Sequence, residues 1–271
     1  MALEQYDIKA MKQATKYKMT NNRFSFYMGT LIVASLLAAS SCMANTVMSF
    51  NIRTEHANDP GELAWEKRKN NVVDVIVKAN PSVIGLQEAS TNQQQYIEVA
   101  LGPNWLPVAN APILFRGDMY RVLATGAIEL VEDKWEKRFA YWVRLEEKNT
   151  NKSWLFITTH WGVDEASQLG SAEILLNALP TVTKNWQLPV VLVGDFNAEP
   201  NSEPYLKMVN DSPLQNNFWG LTFTGFKPKA IAQLDYAWAA GLTINKCKAD
   251  RFEAYTTPAS DHYPIICEFK L

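Results

Sequence analysis

Val190–Pro200 reads VVLVGDFNAEP. The apolar run Val190–Val193 has the composition of a strand buried on both faces. Gly194 is expected to end that strand. Asp195 and Asn197 follow with Phe196 between them, so at period two they leave on one side. A carboxylate and a carboxamide delivered together from a buried strand are costly to hide unless something engages them. The stretch therefore predicts a polar site at a strand end.

Working outward, other apolar runs also end in polar residues. Thr46–Ile52 is a strand carrying Asn51. Val83–Gln87 is a second, with Glu88 directly after it, and Trp154–Thr159 is a third, ending at His160. Between the first two, Trp65–Ala79 has helical spacing, with Val72, Val73, Ile76 and Val77 on the expected apolar face. Asn80-Pro81 stops it. Ser90–Leu101, Ala166–Leu179 and Ser202–Val209 read as further helices. Ala111–Arg116, Met119–Leu123 and Arg138–Leu145 read as strands, as do Leu221–Thr224, Leu234–Trp238, Leu242–Cys247 and Pro264–Phe269. Several strands follow one another between residues 111 and 159 without a helix. That favours two sheets packed face to face, with helices on the outer faces, over an open doubly wound sheet. Residues 45–271 show no repeat and no linker, and are expected to form one domain.

The 271 residues are 47% hydrophobic and 20% charged, which is globular composition. Residues 1–44 differ from the rest. Lys12, Lys16, Lys18 and Arg23 precede an apolar run over Phe24–Ala39, and small residues follow, as in an export signal. The expected location is the periplasm or the exterior. A lipid anchor at Cys42 or an uncleaved anchor helix are the open alternatives. The segment holds five bases and two acids, so without it the formal charge falls from -2 to -5. Net charge would not steer a long polyanion to such a surface. Cys247 and Cys267 lie in neighbouring strand candidates; a disulfide and two buried free thiols both remain open.

The polar strand-end residues Asn51, Glu88, His160, Asp195, Asn197, Asp235, Asp261 and His262 gain weight together, because sheets bring such ends into one place. MSFNIR, IGLQE, TTHW, VLVGDFNAEP, LDY and SDHYPI follow one another along residues 45–271. This set resembles the endonuclease/exonuclease/phosphatase superfamily, in a secreted bacterial-type branch. The resemblance implies a four-layered α/β sandwich like that of DNase I and a metal-dependent phosphoesterase. It implies Glu88 as the main Mg²⁺ ligand, with Asn51 and Asp261 beside it. Such oxygen ligands suit Mg²⁺, with Mn²⁺ as an alternative. Asp195 would orient or deprotonate the attacking water, and Asn197 would donate to a phosphate oxygen. His160 and His262 would bracket the scissile phosphate, with Asp235 fixing the tautomer of His262. Asp195 and His262 both remain open as the general base.

Substrate contacts are less constrained. Arg53, Arg68 and Arg138 are candidate phosphate ligands, and Trp161 is a candidate stacking residue. The expected substrate is a phosphodiester, nucleic acid first, cleaved by in-line attack of water. A phosphomonoesterase or a lipid- or inositol-phosphate hydrolase is the alternative, and a non-catalytic binding protein on the same scaffold is a third. No dinucleotide cofactor is expected, and the expected state is a monomer.

Overall fold

The computed structural model describes residues 45–271. The segment 1–44, with the export reading attached to it, lies outside the described residues. Strand alternation sets the layers. In β1 (Asn45–Asn51), β2 (Val83–Gln87), β7 (Ser153–His160) and β8 (Val190–Asp195), successive side chains face opposite ways. Val47, Val83, Phe156, Val191 and Val193 meet in one cluster between two sheets. Their neighbours Met48 and Ile84 join Val72, Val75, Ile76 and Ile97 on the outer side of one sheet. Ile157, Val190 and Leu192 join Ala172, Leu175, Leu179 and Met208 on the outer side of the other. Each large apolar side chain buried this way contributes about 1.5–3 kcal/mol.

The first sheet adds β3 (Trp105–Pro107), β4 (Ile113–Arg116), β11 (Thr243–Ala249) and β12 (Ile265–Lys270), in the order β11-β12-β1-β2-β4-β3. The second adds β5 (Tyr120–Glu129), β6 (Phe139–Glu147), β9 (Gln215–Asn216) and β10 (Asp235–Ala240), in the order β5-β6-β7-β8-β10-β9. Helices α1 (Trp65–Ala79) and α2 (Thr91–Leu101) share the first outer cluster; α3 (Glu165–Val182) and α4 (Glu203–Asn210) share the second. This is the four-layered sandwich expected from the sequence. Helix α2 starts on a capping box: Ser90 accepts from the Gln93 N–H, and the Gln93 side chain accepts from the Ser90 N–H.

Three local readings change and one open alternative is resolved. Gly194 does not end β8; the strand runs through it to Asp195. The buried face of α1 is Trp65, Arg68, Val72, Val75 and Ile76, whereas Val77 is 56% exposed, because the face starts one turn earlier, on Trp65 and Arg68. Leu221–Thr224 forms no strand: only Phe223 pairs, in isolated bridges to Ala232 and His262. Cys247 and Cys267 sit opposite one another across β11 and β12 and are joined as a disulfide.

Candidate active site

Strands β1 and β2 run parallel, as do β7 and β8. Their C-terminal ends deliver the polar residues that the sequence singles out. Asn51 ends β1, Glu88 follows β2, His160 ends β7 and Asp195 ends β8, with His160 in register beside Asp195. Asp235 opens the antiparallel β10 opposite Asp195. Asp261 and His262 lie in the segment leading into β12. Arg53, Glu88, His160, Asp195, Asn197, Asp261 and His262 line an open cleft of about 1740 Å³. That exceeds the roughly 300–1,000 Å³ of a typical small-molecule site.

Asn51, fully buried, joins the two sheets. Its Nδ2 donates to Glu88 Oε1 at 3.1 Å and to Asp195 Oδ2 at 2.9 Å, while its Oδ1 accepts from the Arg53 N–H at 3.1 Å. Gln87 makes a second link, donating to Thr158 Oγ1 at 2.8 Å. The Thr54 N–H holds Glu88 Oε2 at 3.1 Å, and the Asn197 N–H holds Asp195 Oδ1 at 2.9 Å. Arg53, Glu88 and Asn197 all have φ between 50 and 59°, a left-handed backbone that costs Arg and Glu conformational energy.

The two histidine Nε2 atoms converge on one oxygen. Asp195 Oδ2 lies 3.7 Å from His160 Nε2 and 3.6 Å from His262 Nε2. His262 Nδ1 is 2.9 Å from Asp235 Oδ2, and the Phe223 ring packs 4.9 Å from the imidazole. Burial alone would lower the His262 imidazolium pKa, but Asp235 and Asp195 outweigh it and push it up to about 10. Burial lowers that of His160, Asp195 opposes the shift, and Arg138 reinforces it. Burial also raises the Asp195 carboxyl, against the pull of His262. A carboxylate raised in this way is a better proton acceptor near neutral pH.

Asp261 is also shifted upward, by burial, against the pull of His262 and with the charge of Glu88 adding to it. The nearest guanidinium to both carboxylates is that of Arg53, at 4.0 Å from Glu88 Oε2 and 3.8 Å from Asp261 Oδ2. Asp59 already holds that guanidinium at two points, 3.1 and 3.2 Å. Two carboxylates within 4.0 Å of one guanidinium, an all-oxygen donor set, fit a hard divalent cation. Asp195, Asp235 and His262 also bring three ligand-type atoms within 4.8 Å of one another. We regard that cluster as a hydrogen-bonded dyad beside a carboxylate, because His262 Nδ1 already serves Asp235.

Three sequence-based roles are corrected. Arg68 is no phosphate ligand: it is fully buried and donates to the carbonyls of Leu63, Ile52, Ala259 and Arg53. Trp161 does not stack on substrate: it is fully buried against Phe196, ring centroids 4.6 Å apart. Arg138 lines the cleft, but its terminal nitrogens are held by Asp133, Glu136 and His160. Arg53 lines the cleft with its charge engaged by acids. One Nδ2 hydrogen of Asn197 goes to the Trp161 carbonyl at 3.0 Å. The sequence reading missed Asp133, Asp59 and Ser260. Ser260 donates to the Asn51 carbonyl at 2.6 Å and accepts from the His262 N–H at 3.3 Å. A serine beside SDH's acid and histidine was the available signal for it.

Residues 48–262 match the model of the Endonuclease/Exonuclease/phosphatase family. Over 256 residues the chain is 25% identical to Nocturnin of Xenopus laevis, covering 76% of this chain and 65% of that protein, so less than two thirds of the relative is spanned. Among solved structures, a mannosyl-6-phosphatase of Bacteroides thetaiotaomicron superposes with a TM-score of 0.73 at 20% identity, covering 84% of this chain and all of the other. A D. rerio TDP2 complexed with a single-strand DNA product superposes with a TM-score of 0.62 at 14% identity, covering 84% of this chain and all of the other. At such identities these two likenesses carry the fold.

Proposed function

The chain belongs to the endonuclease/exonuclease/phosphatase family, and on that premise we propose that it hydrolyses a phosphodiester by in-line attack of water, with Mg²⁺ as the expected ion. Members of this family are phosphoesterase hydrolases and typically depend on a divalent metal. The observation that carries the reading is the convergence of His160 Nε2 and His262 Nε2 on Asp195 Oδ2, beside the Glu88–Asp261 carboxylates.

Glu88 and Asp261, backed by Asn51, would hold the ion, which supplies polarisation of a phosphoryl oxygen and stabilises the leaving oxygen. The remaining work falls to the chain. Asp195, oriented by Asn51 and the Asn197 N–H, accepts the proton of the attacking water. His262, protonated at neutral pH and braced by Asp235, donates to a phosphoryl oxygen and stabilises the charge that grows there. His262 then has no free nitrogen to act as base, which leaves that role to Asp195.

We place a diester first and a monoester second. Around the convergence point, Asp59, Glu88, Asp195, Asp235 and Asp261 are met by Arg53, Arg68 and His262, with Arg138 beside His160. One divalent ion brings that surrounding close to neutral, and a singly charged diester asks for no further cation. Nucleic acid is the first substrate class we propose. Export remains part of the proposal, supported by the Cys247–Cys267 disulfide, which suits an oxidising compartment.

The test compares bis-p-nitrophenyl phosphate, p-nitrophenyl phosphate, single-stranded DNA and mannose 6-phosphate, each with Mg²⁺ and with EDTA. The diesters should turn over faster than the monoesters. EDTA, Asp195→Ala and His262→Ala should each abolish the rate. A reversed preference would replace the diester by a monoester, and rates indifferent to all three changes would remove the catalytic reading.

A further inference from the structure

The two histidines of the cleft have opposite partners at Nδ1. Behind His262 stands a carboxylate, Asp235; behind His160 stands a guanidinium, with Arg138 Nη1 2.8 Å from His160 Nδ1. A guanidinium donates and never accepts. The nitrogen receiving its bond must therefore present a lone pair, and the ring proton must sit on the other nitrogen. We propose that Arg138 is a positioning residue that holds His160 as the neutral imidazole with its proton on Nε2, aimed into the cleft.

Arg138 is itself built into place. It is 5% exposed, and its Nη2 donates to Asp133 Oδ2 at 2.9 Å. The Asp133 side chain is fully buried, and its oxygens also take the N–H groups of Trp135, Glu136 and Val163. Burial would raise the Asp133 carboxyl, but Arg138 and those N–H groups hold it down at about 2, so it stays charged. Glu136 Oε1 takes Arg138 Nη1 at 2.6 Å and lies 3.9 Å from His160 Nδ1. The remaining charged groups near the ring are Asp195, Glu88 and His262.

The consequence is a division of labour. His160 offers a hydrogen-bond donor without a charge, and its cleft-facing nitrogen cannot take a proton from water. His262 offers the charge. With the His160 ring held neutral by its Nδ1 partner, the pair does not pit two imidazolium ions against each other across Asp195.

The tautomer can be read in the protein without substrate, by two-bond ¹H–¹⁵N correlation of the histidine rings, with His160→Gln used to assign the signals. The expected spectrum at pH 7 has an unprotonated, pyridine-like Nδ1 and a protonated, pyrrole-like Nε2 at His160. Arg138→Met should mix the two tautomers or let the ring titrate between pH 5 and 8, with a kcat at least tenfold lower and KM within twofold. Arg138→Lys, which keeps a donor, should restore the wild-type ring signature. A wild-type ring protonated at Nδ1, or at both nitrogens, overturns the assignment, as does an unchanged ring in a folded Arg138→Met. If Arg138→Met does not fold, the wild-type spectrum alone decides. The division of labour rests on the phosphoester reading: the expected spectrum with no hydrolysis of any phosphoester would keep the tautomer and remove that reading.

Discussion

Gly194→Ala is the substitution for which the structure sets the sharpest expectation. Gly194 has φ of +151°, a conformation that side-chain-bearing residues rarely adopt, and pairs with Thr159 on the parallel neighbour β7. A β-carbon there would lie 2.9 Å from the Thr159 nitrogen and carbonyl carbon, and closer still to its oxygen. Those atoms are backbone, so relief requires the strands to part. The dihedral strain costs about 1–3 kcal/mol, and forcing the contact costs about 1–3 kcal/mol more. Taken together, a loss of about 4 kcal/mol should lower the melting temperature by about 10 °C in a domain of this size. The next register pair is His160 with Asp195, so parting the strands there displaces two cleft residues. A shift of about 1 Å should lower kcat about 100-fold. Gly102→Ala separates the two terms: φ is +84°, and an added β-carbon meets nothing within 4 Å. Calorimetry and bis-p-nitrophenyl phosphate hydrolysis on both variants provide the readout. A Gly194→Ala protein melting within about 2 °C of wild type, with kcat within twofold, would refute the close-approach reasoning.

Asp235→Asn should flatten the alkaline stability profile. The folded pKa of His262, about 10, is above its ordinary 6.5, so the stabilisation is complete below that ordinary value and lost as pH rises through the folded one. The loss is on the order of a few kcal/mol, visible as a urea midpoint that falls between pH 7 and 10.5 in wild type and much less in the variant. Arg68→Lys should destabilise by about 2–4 kcal/mol, because buried carbonyls lose their donors, yet leave KM within twofold. A phosphate ligand would show the reverse in a thermal melt and a Michaelis–Menten series. Cys247→Ser with Cys267→Ser opens a cross-link between residues 20 apart. It should cost about 3 kcal/mol by denaturant titration with kcat unchanged, since neither cysteine lines the cleft.

What the sequence revealed and what it concealed divide along physical lines. GDFN, QE and SDH were legible because each puts polar groups directly after an apolar run, a local pattern that survives without knowing the neighbours. Trp65–Ala79 and Val83–Gln87 were legible to the residue for the same reason. Arg68 was misread because the carbonyls that claim it include Ile52 and Ala259, sixteen and 191 positions away. Trp161 was misread because its burial comes from Phe196, just past the end of β8. Arg138 was recognised as a cleft residue but not as the partner of a histidine, since Asp133 in VEDKWEKR looks like one more surface acid until the loop folds back. The full length of β5 was concealed by its exposure. Tyr120–Glu129 buries only its first residue, so alternation gives little sign of where it stops.

The order of strands also dictates the order in which the protein can be completed. The second sheet is assembled from one uninterrupted stretch, Tyr120–Ala240, whereas β1, the first described strand, waits for β12, the last, before its second neighbour exists. During synthesis the Asp195 half of the site can therefore close while β1 still has a bare edge, a template for unwanted pairing with another chain. His262, three residues before β12, arrives only with the strand that covers this edge. The growing chain hence brings its second cleft histidine into place only as it covers the open edge of β1.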